Sequence, residues 1–229
     1  MFLGTAVPLL FCQEPGFEEE VNTWFASAPE ASAYADIHSD IMLLLLDAGE
    51  SGIPVRLLLA KVKEGAAKGV PSRRLFVALE NERDRLRSAI DIIDSAGYPL
   101  LRRDTDLEQP VKMLGIILRE GCSAAVLREI LSGGFAEGRT LSEGTAACGA
   151  VFHVKKVADL SDQELVSLGI ALYGSSLPPT GYDTVSSIFL KARVHRLSDK
   201  DTLDLVLGVL KSGGGLIQLE RALDRRIQR

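Results

Sequence analysis

The chain predicts an all-α fold, and three features carry that expectation. Five hydroxyl–carboxylate pairs stand three residues apart: Thr105/Glu108, Thr140/Glu143, Ser161/Glu164, Thr180/Asp183 and Ser198/Asp201. At that spacing the hydroxyl accepts from the backbone N–H three residues ahead and the carboxylate reaches back to the first N–H. Two orphan donors of a helix start are thereby satisfied together. Apolar residues recur at helical spacing after every pair except the glycine-rich one at Thr140. Strand patterning is lacking, since short apolar stretches such as Ala150-Val151-Phe152 also read as helix. The expected architecture is an irregular array or bundle of about ten helices, built from degenerate helical hairpins.

The elements follow in order. A first helix over 17–26 places Phe17, Val21, Trp24 and Phe25 on one face, with Glu18, Glu19 and Glu20 at the positive end of its dipole. Pro29 and Glu30 break it. A second over 32–48 turns Tyr34, Ile37, Ile41, Leu44, Leu45 and Ala48 inward and stops at Gly49. Gly52-Ile53-Pro54 opens a third, which Gly65 and Gly69 close. Pro71 suits the first position of a long fourth helix, where Leu75, Leu79, Leu86, Ile90 and Ile93 form a nearly heptad stripe up to Gly97-Tyr98-Pro99.

Residues 17–229 are read as one helical domain, with a sub-boundary near 98–105 around Arg102-Arg103-Asp104. Three later helices share a leucine–glycine phrase, at Leu114-Gly115, Leu168-Gly169 and Leu207-Gly208. A mid-helix glycine costs about 1 kcal/mol against alanine. Its recurrence predicts that a neighbouring helix approaches closely at each.

The segment Lys61-Val62-Lys63-Glu64-Gly65-Ala66-Ala67-Lys68-Gly69-Val70-Pro71 resembles a K-V-x-E-G-x-A-K-G-V-P pattern of uncharacterised, exported, helical bacterial proteins. That resemblance implies export and carries no function. The residues by themselves read as a helix C-cap, a tight turn and an N-terminal proline.

With 46% hydrophobic and 25% charged residues in 229, the chain has material for a packed core. Its net charge of −5 is unevenly spread: −8 over residues 1–60, +4 over 61–103, −5 over 104–190 and +4 over 191–229. No block is basic enough for a nucleic-acid footprint. Residues 1–12 are apolar and uncharged, too short to span a bilayer, which takes about 20 apolar residues. They match the apolar stretch of a secretory signal without its basic start, so residues 1–16 are read as a truncated signal segment and the protein as periplasmic or otherwise exported. Leu9-Leu10-Phe11-Cys12 is similar to a lipoprotein signal, but Phe11 stands where such signals place a small residue, which argues against a lipid anchor at Cys12. Cys122 and Cys148 sit among small apolar residues and are expected as buried thiols, with pairing in an exported protein as the alternative.

No catalytic, cofactor or metal constellation is complete. His38, His153 and His195 lie far apart, and the Asp36-Ile37-His38-Ser39-Asp40 cluster spreads its polar groups over different helix faces. Lys211-Ser212-Gly213-Gly214-Gly215 has the look of a phosphate loop but lacks the preceding strand and the order G-x-x-x-x-G-K-[ST]. Gly215-Leu216-Ile217-Gln218-Leu219 resembles a segment of lytic transglycosylases, whose catalytic Glu-Ser pair has no counterpart upstream. The longest polar turn, 174–183, is expected to carry Tyr182 at its rim. Tyr182, Ser212 and Gly214 are therefore the candidate contact residues, at the two long breaks of the C-terminal helical run. The expected function is a non-catalytic binding or structural role in the bacterial envelope, with a protein partner, no cofactor, no nucleic acid and no membrane span. Two alternatives stand beside it: an enzyme with a site assembled from distant carboxylates, and a cytoplasmic helical regulator binding nucleic acid.

Overall fold

The computed structural model describes residues 17–99 and 107–228. The expected signal segment, Cys12 and the Thr105 cap lie outside those residues. Eleven α-helices appear and no strand among the described residues: α1 (Phe17–Ser27), α2 (His38–Glu50), α3 (Val55–Ala67), α4 (Ser72–Ser95), α5 (Glu108–Arg119), α6 (Ala124–Ala136), α7 (Leu141–Val157), α8 (Asp162–Tyr173), α9 (Thr184–Val194), α10 (Asp199–Lys211) and α11 (Leu216–Ile227). A 3₁₀ helix, Pro29–Ile37, precedes α2, and a single 3₁₀ turn, Pro179–Gly181, precedes α9. No described helix is long and apolar enough to cross a membrane. The chain forms two compact units, one holding residues 17–87 and the other 88–99 and 107–228.

The helix ends follow a common physical rule. Helices α2, α3, α4, α5, α6, α9 and α10 each stop at a residue of positive φ: Gly52, Gly69, Gly97, Gly121, Gly138, Arg196 and Gly213. At α3 the Gly69 N–H donates to Ala66 O at 2.9 Å and the Val70 N–H to Gly65 O at 3.0 Å, which satisfies two orphan carbonyls at once. Arg196 makes the same turn at φ +60° with a Cβ, the non-glycine exception among the described residues. Gly49, expected to stop α2, lies inside it, and the stop falls three residues later at Gly52.

Helix starts depart more from expectation. Thr140 and Ser161 build the full reciprocal box. Ser198 accepts from the Asp201 N–H at 3.0 Å without the return bond, because aspartate is one methylene shorter than glutamate. The pair at Thr180 builds no cap: Pro178 and Pro179 draw Thr180 into the 3₁₀ turn, and Asp183 becomes the N-cap of α9 without a side-chain bond.

In the first unit, α1, α2 and α3 pack on one another over Val21, Ile41, Leu45, Leu58 and Val62. Gly65 lies within α3, and a Cβ there would collide with the Leu75 side chain. In the second unit α7 is central, in contact with α5, α6, α8 and α9. It is buried nearly all round, through Gly144, Ala147, Cys148, Gly149, Ala150, Val151 and Val154. Helices α9, α10 and α11 complete the unit.

The three leucine–glycine phrases divide. A Cβ on Gly169 would stand 2.7 Å from Ile130 Cγ1, so α6 does approach α8 there. Gly115 is buried in α5. Gly208 is exposed with nothing within 4 Å of a Cβ, so the expected contact is absent at that position; the outer face of α10 carries the glycine. Chemical denaturation should separate the two. Gly169→Leu should lose about 1–3 kcal/mol to overpacking, whereas Gly208→Ala should gain up to about 1 kcal/mol of helix propensity. Equal responses at the two sites would contradict this division.

Candidate functional site

The structure brings together the two segments that the sequence singles out. The Ser176 N–H donates to Gly214 O at 3.4 Å, and a Cβ on Gly215 would stand 2.8 Å from Ser176 Oγ. They meet by direct backbone contact. Gly214 is buried, and Ser212 is exposed with its hydroxyl donating to Val209 O at 2.8 Å. The N–H groups of the glycine run are spent locally: Gly213 on Leu210 O, Gly214 on Val209 O and Gly215 on Gln218 Oε1. A phosphate loop needs such donors free, so these three build a helix stop followed by a helix start.

Tyr182 is not at a rim. It is 2% exposed, because the turn Pro179–Gly181 packs on α7 and delivers the following ring into the core. The aromatic body gains more from burial there than its hydroxyl would from water. As a surface contact residue Tyr182 is therefore corrected.

Tyr182 belongs to a set of buried phenols in the second unit. Tyr173 Oη donates to Ile130 O at 3.0 Å, and burial drives its ionisation well above the ordinary tyrosine range. Tyr98 is pushed up to about 12 by burial, and its hydroxyl has no hydrogen-bond partner among the described residues. Arg139 donates to Tyr173 O and stands 3.5 Å from Glu143 Oε1, while its Nε is buried without a partner among the described residues. Burial thus holds these phenols in their neutral form near neutral pH. Their geometry fits packing: a Cβ on Gly134 would strike Tyr173 Oη at 2.8 Å and Tyr98 Oη at 3.2 Å.

The other chemical candidates stay apart. His38 stacks on Phe25 with ring centroids 4.1 Å apart, His153 Nδ1 lies 3.2 Å from Asp183 Oδ1, and His195 caps α9. Asp36 accepts from the Ser72 hydroxyl at 3.2 Å. Among the described residues no three His, Cys, Asp or Glu side chains converge as a metal site would require. Cys122 and Cys148 are buried and unpaired, and burial raises both thiols.

Sequence reasoning missed a shallow groove of about 410 Å³ in the first unit, lined by Glu19, Glu20, Thr23, Trp24 and Ser27 of α1 and by Lys63 of α3. Lys63 Nζ reaches Glu20 Oε1 at 2.7 Å, and the largely buried Trp24 ring meets Phe25 edge-on at 4.9 Å. One signal for it was present: Glu19, Thr23 and Ser27 recur every four residues on the polar side of α1.

No protein family, no curated protein and no solved structure matches the chain.

The capped carboxylates make stability depend on pH. Glu143 is held below its ordinary value first by the Thr140 N–H, at 2.9 Å, and Glu164 by the Ser161 hydroxyl and N–H. A depressed folded-state value means that the contribution is full above the ordinary 4.5 and is lost as pH falls through the lower folded values. In the double variant Glu143→Gln and Glu164→Gln, the drop in Tm between about pH 5 and 3 should therefore shrink relative to wild type. A steeper drop in calorimetry would refute the linkage.

Proposed function

We propose that this chain is a non-catalytic helical contact protein, and that the groove between α1 and α3 receives a segment of a protein partner. The observation that carries the reading is the lining itself. Two glutamates, one lysine, two hydroxyl residues and the edge of a tryptophan form a shallow surface of the kind that recognises another chain. Among the described residues Glu20 is paired with Lys63 and Glu19 has no ion-pair partner, and residues 1–60 carry a net −8. The complementary partner segment therefore carries Lys or Arg. Electrostatic attraction across so exposed a surface speeds encounter and is weakened by salt.

A place in the bacterial envelope is part of the same proposal. It is supported by the apolar, uncharged residues 1–12 and by the resemblance of residues 61–71 to exported helical proteins. Fractionation of the full-length protein tests that part on its own.

The contact itself can be tested with a photo-crosslinking side chain at the exposed Thr23, irradiated in envelope fractions. A discrete adduct should form at low salt and should disappear in the Glu19→Lys, Glu20→Lys variant with its helical circular dichroism unchanged. Retention of the same adduct after charge reversal would remove the groove from the reading.

A further inference from the structure

The nine-residue 3₁₀ helix Pro29–Ile37 stands out because such helices rarely exceed three or four residues. Its hydrogen-bond geometry is poorer than that of an α-helix, and its sequence, with Ala31, Ala33 and Ala35, favours α winding. It runs into α2 without an intervening residue. Ile37, at φ −114° and ψ 11°, is the joint, and His38 is already helical.

The apolar pattern serves both windings. In the 3₁₀ form, residues three apart eclipse, so Ala31, Tyr34 and Ile37 fall in one row; the first two are buried and Ile37 is half-buried. In one continuous α-helix, Tyr34, Ile37, Ile41, Leu44, Leu45 and Ala48 would form a single stripe at three- and four-residue spacing. Two tethers hold the observed form. Tyr34 Oη donates to Val70 O at 2.6 Å, and Ser72 Oγ donates to Asp36 Oδ2 at 3.2 Å.

We infer that residues 29–38 form a two-state element, exchanging between the tethered 3₁₀ helix and an α-helix continuous with α2. At rises of about 2.0 and 1.5 Å per residue, nine residues shorten by about 4.5 Å on conversion. The 3₁₀ helix follows α1 directly, the Ala28 N–H donating to Trp24 O at 2.9 Å and the Ala31 N–H to Ala28 O at 3.0 Å. Conversion therefore pulls on α1 and displaces Glu19, Glu20, Thr23 and Ser27 from Lys63. The exchange stands independently of any ligand; only its control of binding rests on the groove reading above.

Relaxation-dispersion NMR on the full chain tests the exchange without a partner. Wild type should show microsecond-to-millisecond exchange confined to about residues 29–38, with α-helical Cα shifts in the minor state. Tyr34→Phe, which removes the hydroxyl that donates to Val70 O and, more weakly, to Gly65 O, should raise that minor population about three- to tenfold. Ser72→Ala, removing the weaker tether, should raise it less and serves if Tyr34→Phe melts the unit. Flat profiles over 29–38 in wild type and variants, or a minor state without α-helical shifts, would overturn the inference. An exchanging segment together with a groove that captures nothing would sink the function reading alone.

Discussion

Close approach at α7 is the constraint on which the second unit depends. A helix surrounded by α5, α6, α8 and α9 leaves only a narrow strip, at Ser142, His153 and Lys156, to water, so its neighbours must reach it over small residues. Gly144 marks the limit: a Cβ there would meet Leu131 Cδ2 at 2.8 Å and Tyr98 Oη at 3.1 Å. Gly134 and Gly169 perform the same service where Tyr173 and Ile130 press in from adjoining helices. A helix so enclosed also has to satisfy its own first N–H groups. The Thr140/Glu143 box does this at one end, and two basic residues, Lys155 and Lys156, oppose the dipole at the other.

The large buried phenols follow from the same geometry. Glycines let helix backbones approach, and the gaps left beside them are long and flat, a shape that Tyr98 and Tyr173 fill. The hydroxyl at the far tip must then find a partner among carbonyls fixed by helix geometry. Tyr173 finds Ile130 O, whereas Tyr98 finds none among the described residues.

Much of the fold was legible in the sequence because helix ends are local. A box at Ser161 or a glycine at 69, 97 or 213 works through bonds within five residues, and nothing distant can cancel it. What failed did so through competition or burial. Two prolines outbid Thr180 for the chain path. The central helix gave little periodic signal because glycines and alanines fill most of its covered faces and its polar strip is narrow. Tyr182 was misplaced since a polar turn says where the backbone bends and not which way the next ring points. The α1–α3 groove combines residues some forty apart with no chemical motif among them, so only packing could reveal it.

The enclosure of α7 also bears on how the protein is born. Synthesis is vectorial: residues 141–157 leave the ribosome after α5 and α6 but before α8 and α9, which supply the rest of their cover. At about 5–20 residues per second, the nascent chain spends a few seconds with half of this central helix still uncovered. That interval is set by the order of the elements along the chain, so the core of the second unit closes only when α8 and α9 have been made.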